Sequence, residues 1–333
     1  MNNFWPSLPK PFFVLAPMDQ VTDVVFRQII AQICPPDVFF TEFTNVDGLN
    51  SAGREDALSR LKYTQEQRPI VAQIWGTNAD NFYKSAKIIK ELGFNGIDIN
   101  MGCPDRTIVK RGSCAALIDN PSLAKEIILA TKEGAAGLPV SVKTRIGFRS
   151  KKTDEWIPHL LNQGLVALSV HGRTASQMSK VPANWDEVAK AVKIRDELGV
   201  KTLIVGNGDV TNKDDGLEKA TQYGVDGIMI GRGIFQDLWA FAKKEDKTEV
   251  SHEQMLGLLL EHARLFDRTW GKGKHFAILR RFFKIYVANF PNASALRIQL
   301  MACNNLSEVE ALVSPYLEEV KNLPGRDTTS TIK

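Results

Sequence analysis

Apolar residues in the first 235 positions gather into short runs rich in β-branched and aromatic side chains. The runs are Phe12–Ala16, Val38–Thr41, Ile70–Ile74, Gly96–Asn100, Val140–Lys143, Ala167–Val170, Thr202–Gly206 and Gly227–Ile230. Runs such as Leu203-Ile204-Val205 are apolar at every position, as parallel strands covered on both faces must be. The stretches between them, for example "NADNFYKSAKIIKELG" and "NPSLAKEIILATKEG", carry apolar residues at helical spacing and end in Gly. Eight strand–helix units in succession predict an α/β fold of the TIM (β/α)8 barrel type. A doubly wound sheet is the rival architecture, and its GxGxxG fingerprint is missing.

At Lys243–Glu249 ("KKEDKTE") the apolar pattern gives way to charge, which marks a linker. The chain therefore divides into a barrel, residues 1–245, and a second domain, residues 246–333. After the linker the pattern is helical to about Asn322, with no convincing strand. This predicts a small all-α bundle, ending in a polar and frayed Pro324–Lys333.

Composition adds a broad class. A chain of 333 residues with 44% hydrophobic and 24% charged residues is an ordinary globular protein with room for a large core. The apolar runs are too short to span a bilayer, and the N-terminus lacks the marks of a signal peptide. Four cysteines form neither a CxxC pair nor a disulfide framework. The expectation is a reduced, cytoplasmic protein with no membrane attachment and no implied protein partner.

The charge is modest overall, +4, but uneven. Residues 262–297 hold Arg264, Arg268, Lys272, Lys274, Arg280, Arg281, Lys284 and Arg297 against Asp267 alone, eight minus one, or +7. A basic block on a balanced protein suggests a polyanionic partner. A solvated helix face would give the same pattern.

In a TIM barrel the site forms where the strands end. Pro17-Met18-Asp19 follow the first run, Gln73 and Trp75 close the third, and Asn100 and Cys103 close the fourth. Lys143 and Arg145 end the fifth, and His171-Gly172-Arg173 the sixth. Gly206-Asn207-Gly208-Asp209 and Gly231-Arg232-Gly233 end the last two, where barrels often hold a phosphate. Glycine there allows close backbone approach to an anion, or simply a tight turn. Flavin mononucleotide (FMN) would supply such a phosphate. Lys143 would then stabilise negative charge on the reduced ring, with Gln73 and Asn207 as hydrogen-bonding partners.

The ordered elements "APMDQVTD", "DINMGCP", "SVKTRIG", "HGRT", "VGNGD" and "DGIMIGRG" together resemble the tRNA-dihydrouridine synthase family, over nearly the whole chain. The resemblance implies an FMN-bearing barrel followed by a helical tRNA-binding domain. It also implies reduction of the uracil 5,6 double bond in tRNA, with NADPH or NADH as electron donor. Carried over by position, the flavin contacts fall on Pro17, Met18, Asp19, Gln73, Lys143, His171, Asn207, Gly208, Asp209, Gly231 and Arg232. The substrate side takes Asn100, Arg145 and Arg173, joined by Lys272, Lys274, Arg280, Arg281 and Lys284 of the basic block.

The resemblance makes Cys103 the proton donor. Hydride addition to one carbon of uracil needs a proton at its neighbour. A thiol with an ordinary pKa of about 8.5 suits that task near neutrality. Gly102 and Pro104 would hold the loop that carries it. Two rival readings are a flavin barrel acting on a free pyrimidine, as dihydroorotate dehydrogenases do, and a non-catalytic tRNA-binding protein. The basic block argues against the first. Cys103, Lys143 and both glycine loops argue against the second.

Overall fold

The computed structural model describes residues 3–247 and 249–322. The polar Pro324–Lys333 lies outside the described residues. Two compact units divide between Asp246 and Lys247.

The first unit is a parallel barrel. Its strands are β1 (Phe12–Leu15), β2 (Phe39–Phe40), β3 (Thr44–Asn45), β4 (Ile70–Trp75), β5 (Gly96–Met101), β6 (Val140–Arg145), β7 (Ala167–His171), β8 (Leu203–Asn207) and β9 (Gly227–Ile230). The sheet runs β1-β9-β8-β7-β6-β5-β4-β2, with β3 paired to the end of β4. A parallel bridge between Val14 and Val38 and the Leu15 N–H to Val38 carbonyl bond (3.2 Å) close the ring. Eight strands were legible as apolar runs. The short β3, from "TN", carries no apolar signal and is held by its register opposite Ile74 and Trp75.

Helices follow most strands, each started by a local cap. Asp23 caps Val24–Ile33, Asn78 caps Ala79–Glu91, Asn184 caps Trp185–Glu197 and Asn212 caps Lys213–Tyr223, each side chain accepting from a first-turn N–H.

Alternation along the strands divides the barrel interior into two zones. At the N-terminal end Phe12, Val14, Val38, Phe40, Val71, Ala167, Leu203, Val205 and Met229 form one core with Trp5. The Trp5 ring meets those of Phe12 and Phe40 at 5.7 and 6.5 Å. Gly227 is required here, because a Cβ would lie 2.3 Å from the Phe12 ring. Further along β4, β7 and β8 the inward positions turn polar. Val71 is followed by Gln73, Ala167 by Ser169 and His171, and Val205 by Asn207. The apolar zone anchors the barrel, and the polar zone faces its C-terminal mouth.

The second unit is helical: His252–Trp270, Phe283–Tyr286, Ala293–Leu300 and Leu306–Asn322, with 3-10 turns at Gly271–Gly273 and Phe276–Phe282. Ser251 and Gln254 form a reciprocal capping box at its first helix. Leu256, Leu259, Phe266, Phe276, Phe282, Phe283 and Leu296 are buried. Phe276, Phe282 and Phe283 of "KHFAILRRFFKIYVANF" are thus part of this unit's own core, while Phe290 is only half-buried. The stretch itself folds as a 3-10 turn followed by one short helix. Among the described residues no helix is long and apolar enough to cross a membrane.

Candidate active site

At the barrel mouth a cavity of about 460 Å³ is lined by Pro17, Met18, Lys143, His171, Arg173, Asn207, Gly208, Asp209, Gly231, Arg232 and Gly233, among others. That volume is typical of a cofactor site. The residues come from the ends of β1, β6, β7, β8 and β9, so the barrel closure itself assembles them. Gly208 has φ +127°, and a Cβ there would lie 2.6 Å from Ala183 and 3.1 Å from the His171 ring. No other residue fits. Gly231 by contrast needs no left-handed backbone; a Cβ there would meet Ala16 and the Met18 sulfur at ordinary contact distance.

Lys143 is one of the cations lining the cavity. Its Nζ donates to Asn207 Oδ1 (3.2 Å), and Asn207 Nδ2 donates to the Met229 carbonyl (2.9 Å). By surface the lysine is half-buried, yet protein surrounds it on every side but the cavity. Burial, then the neighbouring Arg145, bring its pKa down to about 8. One hydrogen bond leaves an ammonium with donors to spare. An anionic or carbonyl-rich ligand in the cavity would satisfy them.

Arg173 also borders the cavity. It is buried, and its guanidinium donates to the Val181 carbonyl (2.6 Å), ion-pairs with Asp209 and lies 3.1 Å from His171 Nε2. A guanidinium is donor-only, so Nε2 is the accepting nitrogen and the proton sits on Nδ1. Burial, then the charges of Arg145, Lys143, Arg173 and Arg232, hold the His171 pKa well below its usual range, so the ring is neutral. Asp209 also accepts from the Ala183 N–H (2.8 Å) and pairs with Arg232 (3.1 Å). Burial would raise the Asp209 carboxyl, but Arg173, the Ala183 N–H and Arg232 outweigh it and hold it low.

Cys103 sits in the loop after β5, beside Lys143 through the pairing of Asn100 with Lys143. Asn100 Oδ1 accepts from the N–H groups of Gly102 (3.0 Å) and Cys103 (2.5 Å), and the Cys103 carbonyl accepts from Ala115 N (3.2 Å). Asp105 then caps the next short turn. Gly102 allows the loop to cross β6, since a Cβ would press on the Thr144 backbone at 3.3 Å. Cys103 is half-buried. Burial raises its thiol pKa, with Arg145 and Lys143 pulling the other way, so the thiol is protonated at neutral pH. That suits a proton donor and disfavours a thiolate nucleophile.

Several expected contacts are placed differently. Asp19 ion-pairs with Arg60 (2.5 Å) and lines a separate hollow with Phe43, Trp75 and Ile108, outside the larger cavity. Arg145, expected to face substrate, is buried and spends its donors on the carbonyls of Gly102 (2.6 Å), Thr174 (3.1 Å) and Met178 (3.0 Å). Arg173 is likewise occupied within the protein, although it borders the cavity. Arginine forks fit carbonyl and carboxylate clusters, and at these two positions the protein supplies the clusters. Gln73 is fully buried and bonded to Asp98 and Asn100. Asp98 was missed; its only signal was its place two residues before Asn100 in an otherwise apolar run.

In the helical unit Arg281, Lys284 and Lys272 are exposed, and Lys274 lies 3.8 Å over the Trp270 ring. Arg280 differs. Its Nη2 donates to the Cys303 carbonyl (3.1 Å) and Asn304 Oδ1 (3.0 Å), so it braces the fold instead of joining an outer phosphate track. Arg297 similarly binds the Val287 carbonyl (2.7 Å).

Comparison with known proteins shows the family. A family model described as "Dihydrouridine synthase (Dus)" matches residues 14–321. "Probable tRNA-dihydrouridine synthase 2" of Bacillus subtilis (strain 168) is 47% identical, over 97% of this chain and 99% of its own length. "Probable tRNA-dihydrouridine synthase" from Staphylococcus epidermidis and from Staphylococcus aureus is each 44% identical, over 95% of this chain and 96% of the relative. With its barrel, its Cys103 loop and a family match that runs through both units, the chain belongs to the dihydrouridine synthase family.

Proposed function

We propose that the protein reduces uridine to dihydrouridine in tRNA, with FMN bound in the barrel mouth and NADPH or NADH as the electron donor. The observation that carries this is the pairing of a flavin-sized cavity, lined by a cation and a glycine turn, with a protonated thiol in the loop after β5. FMN fits the donor set. Lys143 has unspent donors for the electron-rich edge of the ring, and Gly208, Arg232 and Gly233 border the end suited to a phosphate. When bound, the flavin supplies the hydride.

The protein's own residues do the rest. Lys143 holds positive charge against the ring. Asn207 orients Lys143, and neutral His171 offers Nδ1–H as a donor. Cys103 supplies its Sγ proton to the uracil carbon next to the one that receives hydride, leaving a thiolate that Lys143 and Arg145 stabilise until it is reprotonated from solvent. The exposed Arg281, Lys284 and Lys272 give tRNA phosphates a cationic surface. Such contacts offset the few kcal/mol needed to unstack a base and present it to an enclosed site.

The test is to incubate purified protein with FMN, NADPH and unmodified tRNA and to measure dihydrouridine in the digested RNA. Dihydrouridine that requires all three is the expected result. Bound FMN with turnover on free pyrimidine but none on tRNA would favour the free-pyrimidine enzyme instead.

A further inference from the structure

Asp98 is wholly buried, yet the proposed chemistry does not use it. It lies mid-barrel on β5, between Gln73 of β4 and Ser141 of β6. Ser141 Oγ donates to one carboxylate oxygen (2.6 Å), and Gln73 Nε2 donates to the other (2.7 Å). Gln73 Oε1 accepts from Asn100 Nδ2 (2.9 Å). Asn100 Oδ1 receives the Gly102 and Cys103 N–H groups. A continuous chain of hydrogen bonds thus joins the carboxylate to the backbone of the cysteine.

The direction of that chain follows from its far end. Two backbone N–H groups can be met only by an acceptor, so Asn100 must turn its oxygen to the loop and its NH2 to Gln73. Gln73 must then meet it with oxygen and turn its own NH2 inward. The inward partner must accept, and a carboxylate does so. An apolar residue at position 98 would leave Gln73 free to flip, and a flipped Gln73 would set two NH2 groups against each other. A buried carboxylate with no ion pair is costly to keep. Burial does push Asp98 up to about 6, with the hydrogen bonds from Ser141 and Gln73 and the charge of Lys143 opposing.

We propose that Asp98 is a positioning residue for the proton-donor loop: through Gln73 and Asn100 it fixes the backbone of Gly102 and Cys103, and so the placement of the thiol. The proposal rests on the reading of Cys103 as the proton donor. The chain also locks the face Gln73 presents, because one amide hydrogen and the carbonyl oxygen are already committed inside the protein.

A double-mutant cycle separates positioning from general support of the barrel. The readout is the single-turnover rate at which pre-reduced, FMN-loaded protein is reoxidised by tRNA, per bound flavin. Asp98→Ala is expected to slow this step about tenfold or more in the native background and to have almost no further effect in Cys103→Ala, because the two act through one group. Asp98→Asn can present its oxygen to Gln73 and its NH2 to Ser141, whose hydroxyl then accepts, so it should recover a rate within about threefold of native. If Asp98→Ala does not fold, Asp98→Ser, too short to reach Gln73, replaces it in the cycle. Equal fold-losses in both backgrounds would overturn the proposal, as would a native rate in Asp98→Ala or no recovery in Asp98→Asn. A native rate in Cys103→Ala alone would instead remove the proton-donor reading on which the proposal rests, and the proposal with it.

Discussion

Lys143 in the barrel and Lys284 in the helical unit carry the same ammonium group in opposite surroundings. Lys143 faces a cavity from within the protein, and burial brings its pKa down to about 8. Lys284 stands exposed on the short helix Phe283–Tyr286. The arginines divide in the same way. Arg145 and Arg173 are buried and spend their donors on carbonyls and on Asp209, whereas the Arg281 side chain is open to solvent. Cations in a desolvated, pre-organised setting act on a specific ligand at short range. Exposed ones act collectively, and salt screens them. A formal charge in the sequence therefore says little until its surroundings are known.

The largest break in this contrast is expected from Lys143→Met. Losing one partner of a desolvated charge contact costs about 2–5 kcal/mol, so FMN affinity should fall by roughly 30-fold or more. Titration of the apoprotein with FMN by fluorescence quenching reads it. Unchanged affinity would place the lysine outside the ring contacts.

A pH series sharpens the same point. The folded Lys143 pKa of about 8 lies below its usual value, so the ammonium is lost as pH rises through about 8. FMN affinity should weaken by up to about tenfold per pH unit above that point, and the trend should vanish in Lys143→Met. A flat profile from pH 7 to 9 in the native protein would contradict the assignment.

On the exposed side, Arg281→Gln with Lys284→Gln should weaken tRNA binding several-fold and lower the salt slope by roughly 1–2. Flavin affinity should not change. Binding isotherms at several salt concentrations give both quantities, and an unaltered slope would move the RNA surface elsewhere.

The smallest effect is expected from Arg280→Ala. Its guanidinium is bound to Cys303 and Asn304, so the loss should appear as about 1–2 kcal/mol of stability with the tRNA salt slope unchanged. A lower slope would show that Arg280 reaches phosphate after all.

How much of this was legible beforehand follows the same division. Eight strands showed themselves because each carries a cluster of apolar residues, at every position in Leu203-Ile204-Val205 and alternating with inward polar residues elsewhere. The two-residue β3 did not, because register against β4 holds it and side-chain character does not. Lys143, Asn207, Gly208 and Arg232 were legible at strand ends, since barrel topology alone brings those ends together. The partners of Arg145, Arg173 and Arg280 were not. They are backbone carbonyls and side chains 23 or more residues away or across a turn, and no local pattern encodes them. Asp19 was carried over by position and went instead to Arg60. Asp98 hid within an apolar run, where only the period-two alternation set it on the inner face with Asn100.

The central claim is that Cys103 supplies the proton, while Lys143 holds the ligand and exposed cations of the helical unit hold the RNA. It is tested most directly by reducing FMN-loaded protein anaerobically and mixing it with saturating unmodified tRNA. Native protein and Cys103→Ala are compared by flavin absorbance and by the dihydrouridine formed. The account predicts equal flavin content and equal tRNA affinity, with reoxidation and product formation slowed together by about 10²-fold or more in the variant. Equal rates for the two proteins would contradict it and leave Cys103 as a structural thiol.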